Sequence, residues 1–558
     1  MIANITDRHY TSWNFDPAIP DISFVNPFSQ KIFHQDQIEY QEKNNKITII
    51  QSTIRTAKYI PGVLILEKNL TYGRTTNKKR LLYSCIPFQK ELPVFLVPYE
   101  IQLGFQKTIL NKYVLFRFDN WQDKHPHGIL VETIGDVDHL PAHYEYLLYC
   151  KNVRKPACPK PIRQLLLENP PEYYVDRIFE NPEKYGYIAD QRVSETRIFS
   201  IDPKGCVDRD DALSILKTES PNRFTVSVYI ANVWVWIETF QLWDYLEICN
   251  ISTIYLPDKN RTMLPDILSE TICSLDVGKT CFSVVMEFDV DLDTNTILKK
   301  YVYQSAICIS KNFDYDSAPL LKYPDYKLLL QVTQRLDSNI KDSHELVAFW
   351  MMKMNTCMAE EMYKKQKGIF RTAKSANPEQ PIIQHKNPEL ELFLQLWENR
   401  ISGEYITYSP DQLDYAHCIM NVEKYMHFTS PIRRIVDLWN QIIWVGKHPA
   451  KINETVMEKI NRENKTIRKI QNECELLHKF QNISDTELQT GVIIDMEPKS
   501  KTNQMKYSVY LPKYKCIIWL IENPGLNLYS EINCRILYFK REDKYQHKIR
   551  LSLEKKYN

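Results

Sequence analysis

A chain of 558 residues has length for several domains and a large core, and a net charge of only +2 means overall basicity cannot draw it to a polyanion. Its thirteen glycines form no P-loop and no G-x-G-x-x-G, excluding a nucleotide-driven motor, and its thirteen cysteines are scattered without a C-x₂-C pair, as in a reduced intracellular protein rather than a zinc or disulfide scaffold. No apolar run approaches a membrane span, and the stretch Met1 to Arg8 lacks a signal-peptide pattern, so the expectation is a soluble protein of the cytoplasm or nucleus.

Residues 1–45 read as a polar, irregular extension. Strand-like runs follow at Gly62–Leu66, Leu92–Val97 and Tyr113–Phe118. The triplet Lys78, Lys79 and Arg80 would suit a nucleic-acid backbone, although a solvated loop explains it as well.

The densest chemistry comes next. Asp202, Asp208, Asp210 and Asp211 lie within ten residues, in Phe199-Ser-Ile-Asp-Pro-Lys-Gly-Cys-Val-Asp-Arg-Asp-Asp-Ala-Leu213. Four carboxylates so close repel one another unless cations neutralise them or some keep a proton. Hard oxygen ligands suit Mg²⁺, and two such ions about 4 Å apart steady both oxygens of an in-line phosphodiester displacement. Most acidic runs are solvated faces, but Ile201, Val207 and Ala212-Leu-Ser-Ile215 give this one apolar neighbours that a solvated face does not need.

The central region reads as mixed α/β. Phe224–Ile230 and Ser283–Phe288 have strand character, while Tyr326–Leu336, Ser343–Lys367 and Glu454–Phe480 carry helical periodicity. The run Asp289-Val-Asp291-Leu-Asp293-Thr-Asn295 begins like a calcium loop. Thr294 replaces the required glycine, however, and Lys300 stands where the bidentate glutamate belongs, so a turn between strands is expected.

Further along, Tyr425-Met-His427-Phe-Thr429-Ser430-Pro-Ile-Arg433-Arg434-Ile-Val-Asp437 sets hydroxyl donors beside two arginines. Pro431 predicts a loop before a helix opening near Ile432. A guanidinium fork and a helix N-terminus both suit phosphate, and a salt bridge to Asp437 is the structural alternative. From Glu487 to Asn558 the tail has thirteen Lys and Arg against eight Asp and Glu. It alternates the short apolar runs Gly491–Asp495, Tyr507–Leu511, Cys516–Leu520 and Ile549–Leu553, the pattern of a small OB-type barrel that binds single strands.

The pattern D-x₅-D-x-D-D-A-L and the string H-F-T-S-P-I-R-R, about 220 residues apart, together resemble the ribonuclease II family, whose catalytic domain is called RNB. Ser252-Thr-Ile-Tyr-Leu-Pro257, Met263 to Leu275, the helix ending in Asn355 and Ala359, and Gly368-Ile-Phe-Arg371 extend the resemblance, which covers roughly residues 46 to 558. Asp-Pro-Lys-Gly-Cys-Val-Asp is nearer to the eukaryotic, exosome-associated branch than to the bacterial enzymes, and the expectation is a member of that branch without its PIN endonuclease domain.

The resemblance implies a multidomain fold, α/β plus all-β. It comprises an extension (1–45), cold-shock-like OB barrels at 46–112 and 113–175, a mixed α/β RNB domain at 190–485 and a C-terminal OB-type barrel at 487–558. The implied activity is processive 3′-to-5′ hydrolysis of single-stranded RNA to nucleoside 5′-monophosphates, by a monomer or with an exosome-like or other RNA-decay partner.

Residue by residue, Asp202, Asp208, Asp210 and Asp211 match metal ligands for two Mg²⁺ ions, and Asp210 is the carboxylate most tied to the chemical step. Arg433 matches the arginine gripping the scissile phosphate. Arg434, Thr429 and Ser430 would support backbone phosphates or the loop itself, and Tyr255 and Phe370 match aromatics that clamp the terminal bases. Four departures stand out: Arg209 within D-x-D-D, Asn232 for an acid, Ala373 for a histidine, and Gln441-Ile442 for His-Arg. An extended segment would point Arg209 away from Asp208 and Asp210 and toward the side of Asp211. The alternatives are a catalytically weak or inactive RNA-binding protein of the same fold, and a metal-dependent phosphodiesterase for another substrate.

Overall fold

The computed structural model describes residues 1–17, 25–41, 46–67, 69–75, 80–101, 109–153, 160–374, 388–398, 402–412, 414–447, 452–484, 486–499 and 503–554. Lys78 and Lys79 lie outside the described residues, and Arg80 is exposed. The chain forms two compact units, Met1–Val153 with Leu256–Asp258 and Lys469–Asn558, and Arg154–Tyr255 with Lys259–Arg468.

The first unit is mostly β. Strands β1 (Ile2–Ile5), β2 (Trp13–Asp16), β3 (Gln37–Gln41) and β4 (Lys46–Gln51) form a sheet ordered β2-β1-β3-β4. Strands β5 (Ile60–Leu64), β6 (Leu81–Pro87), β7 (Phe95–Tyr99), β8 (Lys112–Asn120) and β9 (His127–Asp136) close into a barrel. The N-terminal segment is therefore not a loose extension: Phe33, fully buried, stacks on Trp121 at 4.9 Å and on Phe95 at 5.8 Å in the barrel core.

The expected boundary between two barrels also moves. Residues 113–136, assigned by sequence to a second barrel, supply most of the two strands that close the first, and helices at Leu140–Cys150, Lys160–Glu168 and Pro171–Phe179 follow. Phe116 sets the closure. A Cβ at Gly62 would lie 2.9 Å from its ring and one at Gly128 2.7 Å, so two glycines make room for one phenyl group.

The second unit is built on a seven-stranded sheet. Its strands are β10 (Ile188–Asp190), β11 (Phe199–Asp202), β12 (Asp211–Lys217), β13 (Arg223–Ala231), β16 (Thr280–Asp291), β17 (Thr296–Cys308) and β18 (Lys311–Asp314), ordered β10-β17-β16-β13-β12-β11-β18. Two short pairs complete the unit, β14 (Ile254–Tyr255) with β15 (Asn260–Arg261) and β19 (Ile369–Lys374) with β20 (Ser402–Thr407).

Side-chain alternation divides the unit's core in two. Phe224, Val226, Val228 and Ile230 of β13 face a cluster with Leu329, Val332, Leu346, Trp350 and Met354 of helices Pro324–Leu336 and Ser343–Lys364. Tyr229 and Ala231 face the opposite cluster, with Trp234 and Trp236 of helix Val233–Thr239 and Ile435 and Leu438 of helix Ile435–Trp444. The sheet is thus covered on both sides. The calcium-like run is the β16–β17 turn, as its missing glycine and glutamate predict.

Back in the first unit, β21 (Leu488–Pro498), β22 (Met505–Leu511), β23 (Cys516–Glu522), β24 (Glu531–Tyr538) and β25 (Ile549–Leu553) form the C-terminal five-stranded sheet. Lys548 is buried there. Its ammonium donates to the carbonyls of Val137 (2.8 Å) and Lys540 (2.9 Å), tying this sheet to the segment after β9. Among the described residues no helix is long and apolar enough to cross a membrane, and the cysteines are free thiols.

Candidate active site

The four aspartates sit where two strands meet a loop. Asp202 ends β11, the loop turns at Gly205 (φ +79°), and Asp211 opens β12 opposite Ile230. Asp202, Asp208 and Asp210 are buried and Asp211 is half-buried. Four acids packed this way are not a solvated face, because burying an ionised carboxylate is unfavourable unless something compensates it.

Compensation differs around the cluster. Asp210 Oδ1 accepts the backbone N–H of Ile432 at 2.8 Å, and its Oδ2 accepts Arg433 Nε at 2.9 Å. Burial nevertheless outweighs the arginine and lifts this carboxyl to about 7. Asp202 Oδ2 accepts the Ser200 hydroxyl at 2.7 Å, and burial raises that carboxyl to about 6. Asp211 is pushed well above the usual carboxylate range by burial and then by the neighbouring Asp202 and Asp210. Asp208 accepts the Tyr255 hydroxyl at 3.3 Å and lies 3.6 Å from the Cys206 thiol.

The arginine loop arrives from 220 residues away and is braced from several sides. Asn355, on helix Ser343–Lys364, accepts the Phe428 N–H at 2.8 Å and donates to the Tyr425 and Thr429 hydroxyls at 3.2 Å each. Asp437, wholly buried, accepts the Ser430 N–H and Arg434 Nη2, both at 2.8 Å. The Arg433 carbonyl accepts Thr253 N–H at 2.9 Å, and Arg433 Nη2 donates to the Ser430 hydroxyl at 3.0 Å. The helix opens at Ile435, three residues later than the proline predicts, because residues 430–434 form a turn in which Arg434 N–H bonds the Ser430 carbonyl.

The sequence-predicted residues separate in this frame. The four aspartates, Arg433 and Tyr255 come together, and Tyr255 remains 38% exposed, which leaves a ring face for a ligand. Thr429 and Ser430 are buried in loop hydrogen bonds, and Arg434 takes the structural role of holding Asp437. Phe370 is fully buried, its ring 4.5 Å from that of Tyr415 in the sheet core. It offers no surface to a base in this arrangement, which corrects the clamp expected from its place after Gly368.

Arg209 also departs from expectation. Instead of pointing toward Asp211, its Nη1 donates to Asp276 Oδ1 at 2.6 Å and its Nε lies 3.5 Å from Asp202 Oδ2. Asn232 and Gln441 are buried neutral partners, of Gln304 and of the Ala231 carbonyl, and Ala373 is buried.

Tyr315 is a residue the sequence does not mark. It follows β18, which pairs in parallel with β11, so its N–H bonds the Asp202 carbonyl at 3.0 Å and its phenol is raised by burial and then by Asp211 and Asp202. Its ring stacks on His344 at 3.8 Å.

The donor set fits a hard divalent cation: four carboxylates, three of them buried, with Asp202, Asp210 and Asp211 all raised by burial in a way that a positive charge would reverse. Two guanidinium groups already sit against the same set, Arg433 on Asp210 and Arg209 on Asp202. Among the described residues, the group of three acidic or histidine side chains whose ligand atoms lie within 4.8 Å of one another is instead Glu542, Asp543 and His547, where Glu542 is paired with Arg550 at 2.9 Å.

A family model, the RNB domain, matches residues 191–322 and 320–445, which contain all four aspartates and both arginines. The chain is 25% identical over 411 residues to the exosome complex exonuclease dis3 of Schizosaccharomyces pombe, covering 59% of this chain and 41% of that relative. The fold is that of the apo RNase R of Mycoplasma genitalium, with a TM-score of 0.67 at 15% identity over 94% of this chain and 95% of that one. Yeast Ssd1, described as a pseudonuclease, matches with a TM-score of 0.55 at 14% identity over 89% of this chain and 69% of its own. Motifs and fold thus agree with the matched domain: residues 191–445 match an RNB domain, and the chain is similar in sequence to exosome-complex exonucleases over part of their length.

Proposed function

We propose that this chain is a processive, hydrolytic 3′-to-5′ exoribonuclease that degrades single-stranded RNA to nucleoside 5′-monophosphates. The observation that carries the reading is the joint hold of Ile432 N–H and Arg433 Nε on Asp210, with Asp202, Asp208 and Asp211 beside it. It brings an acidic, cation-seeking set and a phosphate-seeking guanidinium to one place.

Asp202, Asp208, Asp210 and Asp211 would hold Mg²⁺, which when bound supplies Lewis acidity and charge neutralisation at the scissile phosphate. Arg433, 41% exposed along its side chain, grips the phosphate and meets charge that develops as the ester bond breaks. The Ser430 hydroxyl and the Asp210 carboxylate keep that guanidinium aimed. Tyr255 stacks on a base near the 3′ end without reading its identity, and its bond to Asp208 ties the stacking platform to the carboxylates. The β-modules of the first unit supply single-strand binding, through local basic patches rather than net charge. A monomer suffices for this scheme, and an exosome-like assembly is the partner class suggested by the relatives' names.

Two observations favour a second reading, a catalytically weak or inactive RNA-binding protein. Arg209 leans on Asp202, and the fold likeness includes a pseudonuclease. Decay of 5′-labelled single-stranded RNA with Mg²⁺, comparing wild type with Asp210→Asn, separates the two. A ladder shortening from the 3′ end, absent in a variant that still binds RNA, supports the enzyme. Binding by both proteins with decay by neither establishes the second reading.

A further inference from the structure

Arg209 is the one described guanidinium besides Arg433 placed within 4 Å of the four aspartates. Its backbone is fixed on both sides. The Arg209 N–H donates to the Ser274 hydroxyl at 3.0 Å, and the Arg209 carbonyl accepts the Leu275 N–H at 3.0 Å. The same segment supplies Asp276, whose Oδ1 takes Arg209 Nη1 at 2.6 Å and whose Oδ2 lies 3.6 Å from Lys279 Nζ. Arg209 is thus anchored through main chain and side chain to one short stretch, 274–276. Its Nε is buried without a hydrogen-bond partner and stands 3.5 Å from Asp202 Oδ2.

That position is electrostatic rather than bonding. At 3.5 Å the Nε and the carboxylate oxygen attract each other strongly in a buried setting. The Ser200 hydroxyl already occupies the same oxygen at 2.7 Å. A divalent ion drawn to Asp202 therefore meets a carboxylate whose charge is partly answered, and it is repelled by a guanidinium that the 2.6 Å pair with Asp276 tethers beside it, on a main chain itself fixed to residues 274 and 275. Asp208, Asp210 and Asp211 carry no such burden from Arg209. Arg433 is differently placed: it is bonded to Asp210 and Ser430 and 41% exposed along its side chain, so part of its guanidinium faces outward from the carboxylates.

We infer that Arg209 stands in for one of two divalent cations, so that the aspartates hold a single ion tightly and the position at Asp202 is filled by the protein's own charge. This rests on the reading that the aspartates hold a divalent cation at all. Asp276 is the positioning residue: it keeps the guanidinium beside Asp202 instead of letting it collapse across the carboxylates.

The test is Mn²⁺ binding to the full chain, followed by calorimetry and by the paramagnetic signal of free Mn²⁺. The ions counted are those lost when Asp208 is replaced by Asn. Wild type is expected to hold one. Arg209→Met, neutral and of similar length, is expected to gain a second with at least about tenfold tighter binding than any second ion of the wild type. Arg209→Lys, which keeps the charge, is expected to stay at one.

Two comparable ions in the wild type overturn the inference without recourse to any variant, which covers the case of a Met variant that fails to fold. Identical titrations for wild type and Arg209→Met overturn it as well, and so does a Lys variant that behaves like Met. If no protein of the set binds Mn²⁺ at these aspartates, the cation reading under the proposed function fails too, an outcome distinct from equal binding by all.

Discussion

Asn355→Leu isolates what holds the arginine loop in place. The side chain is buried and has the same number and branching of heavy atoms as leucine, so the change removes polar contacts without opening a cavity. Three hydrogen bonds are lost: the one from Phe428 N–H at 2.8 Å, and two to the Tyr425 and Thr429 hydroxyls at 3.2 Å. A stranded buried N–H costs about 1–3 kcal/mol, and the two long neutral bonds add about 0.5 kcal/mol each, giving about 2–4 kcal/mol in local stability. At about 1.4 kcal/mol per factor of ten, amide exchange across residues 425–433 should quicken by about 30- to 700-fold. Hydrogen–deuterium exchange read by mass spectrometry measures this segment by segment, without assuming that the two units unfold together. RNA decay should fall in parallel, since a misplaced Arg433 loses its aim. Unchanged exchange in this segment would refute the bracing argument.

Three further outcomes are expected. Asp202 and Asp210 are raised in the fold from 3.8 to about 6 and about 7, so the stability they contribute is complete below about 4 and is lost as pH rises through 6 to 7. Without divalent ions, the melting temperature of wild type relative to Asp210→Asn should therefore fall from about pH 4 to about pH 8, and Mg²⁺ should reverse the fall at the upper end; a difference independent of pH contradicts this. Tyr255→Ala should weaken binding of single-stranded RNA by about 5- to 150-fold, the worth of one base stack, whereas Tyr255→Phe keeps the ring and should bind within about twofold of wild type in a filter assay. Phe370→Ala should act as a core truncation, lowering stability by about 3–5 kcal/mol in thermal melts while the length of the final RNA remnant stays the same.

The acidic and basic motifs of this chain are legible in its sequence because like charges in close array and a guanidinium pair after a proline are local patterns. In the structure Arg433 bonds Asp210, and Asp202 and Asp208 are buried in the same loop region. What stays hidden depends on pairing across long intervals. Strands β1 and β2 have four residues each, too few for periodicity to emerge. The barrel boundary turns on β5 pairing with β8, some fifty residues away, which neither strand announces.

Phe370 has the same character whether it faces a channel or a core. Its pairing opposite Ile406 and its packing on Tyr415 decide for the core. Tyr315 enters the site only because β18 lies parallel to β11, and Arg209 turns to Asp202 because residues 274–276 hold its backbone. Neither placement has a trace in the residues nearby.

The long interval between the aspartates and the arginine loop has a consequence during synthesis of the chain. The segment Asp202–Asp211 leaves the ribosome long before Ile432 and Arg433 exist, and Asp210 cannot gain its two partners until they do. A nascent or prematurely terminated chain carries the acidic half of the centre without the basic half. The two halves meet only once translation has passed residue 433, so the buried acidic cluster completes its hydrogen bonding late in the synthesis of this unit.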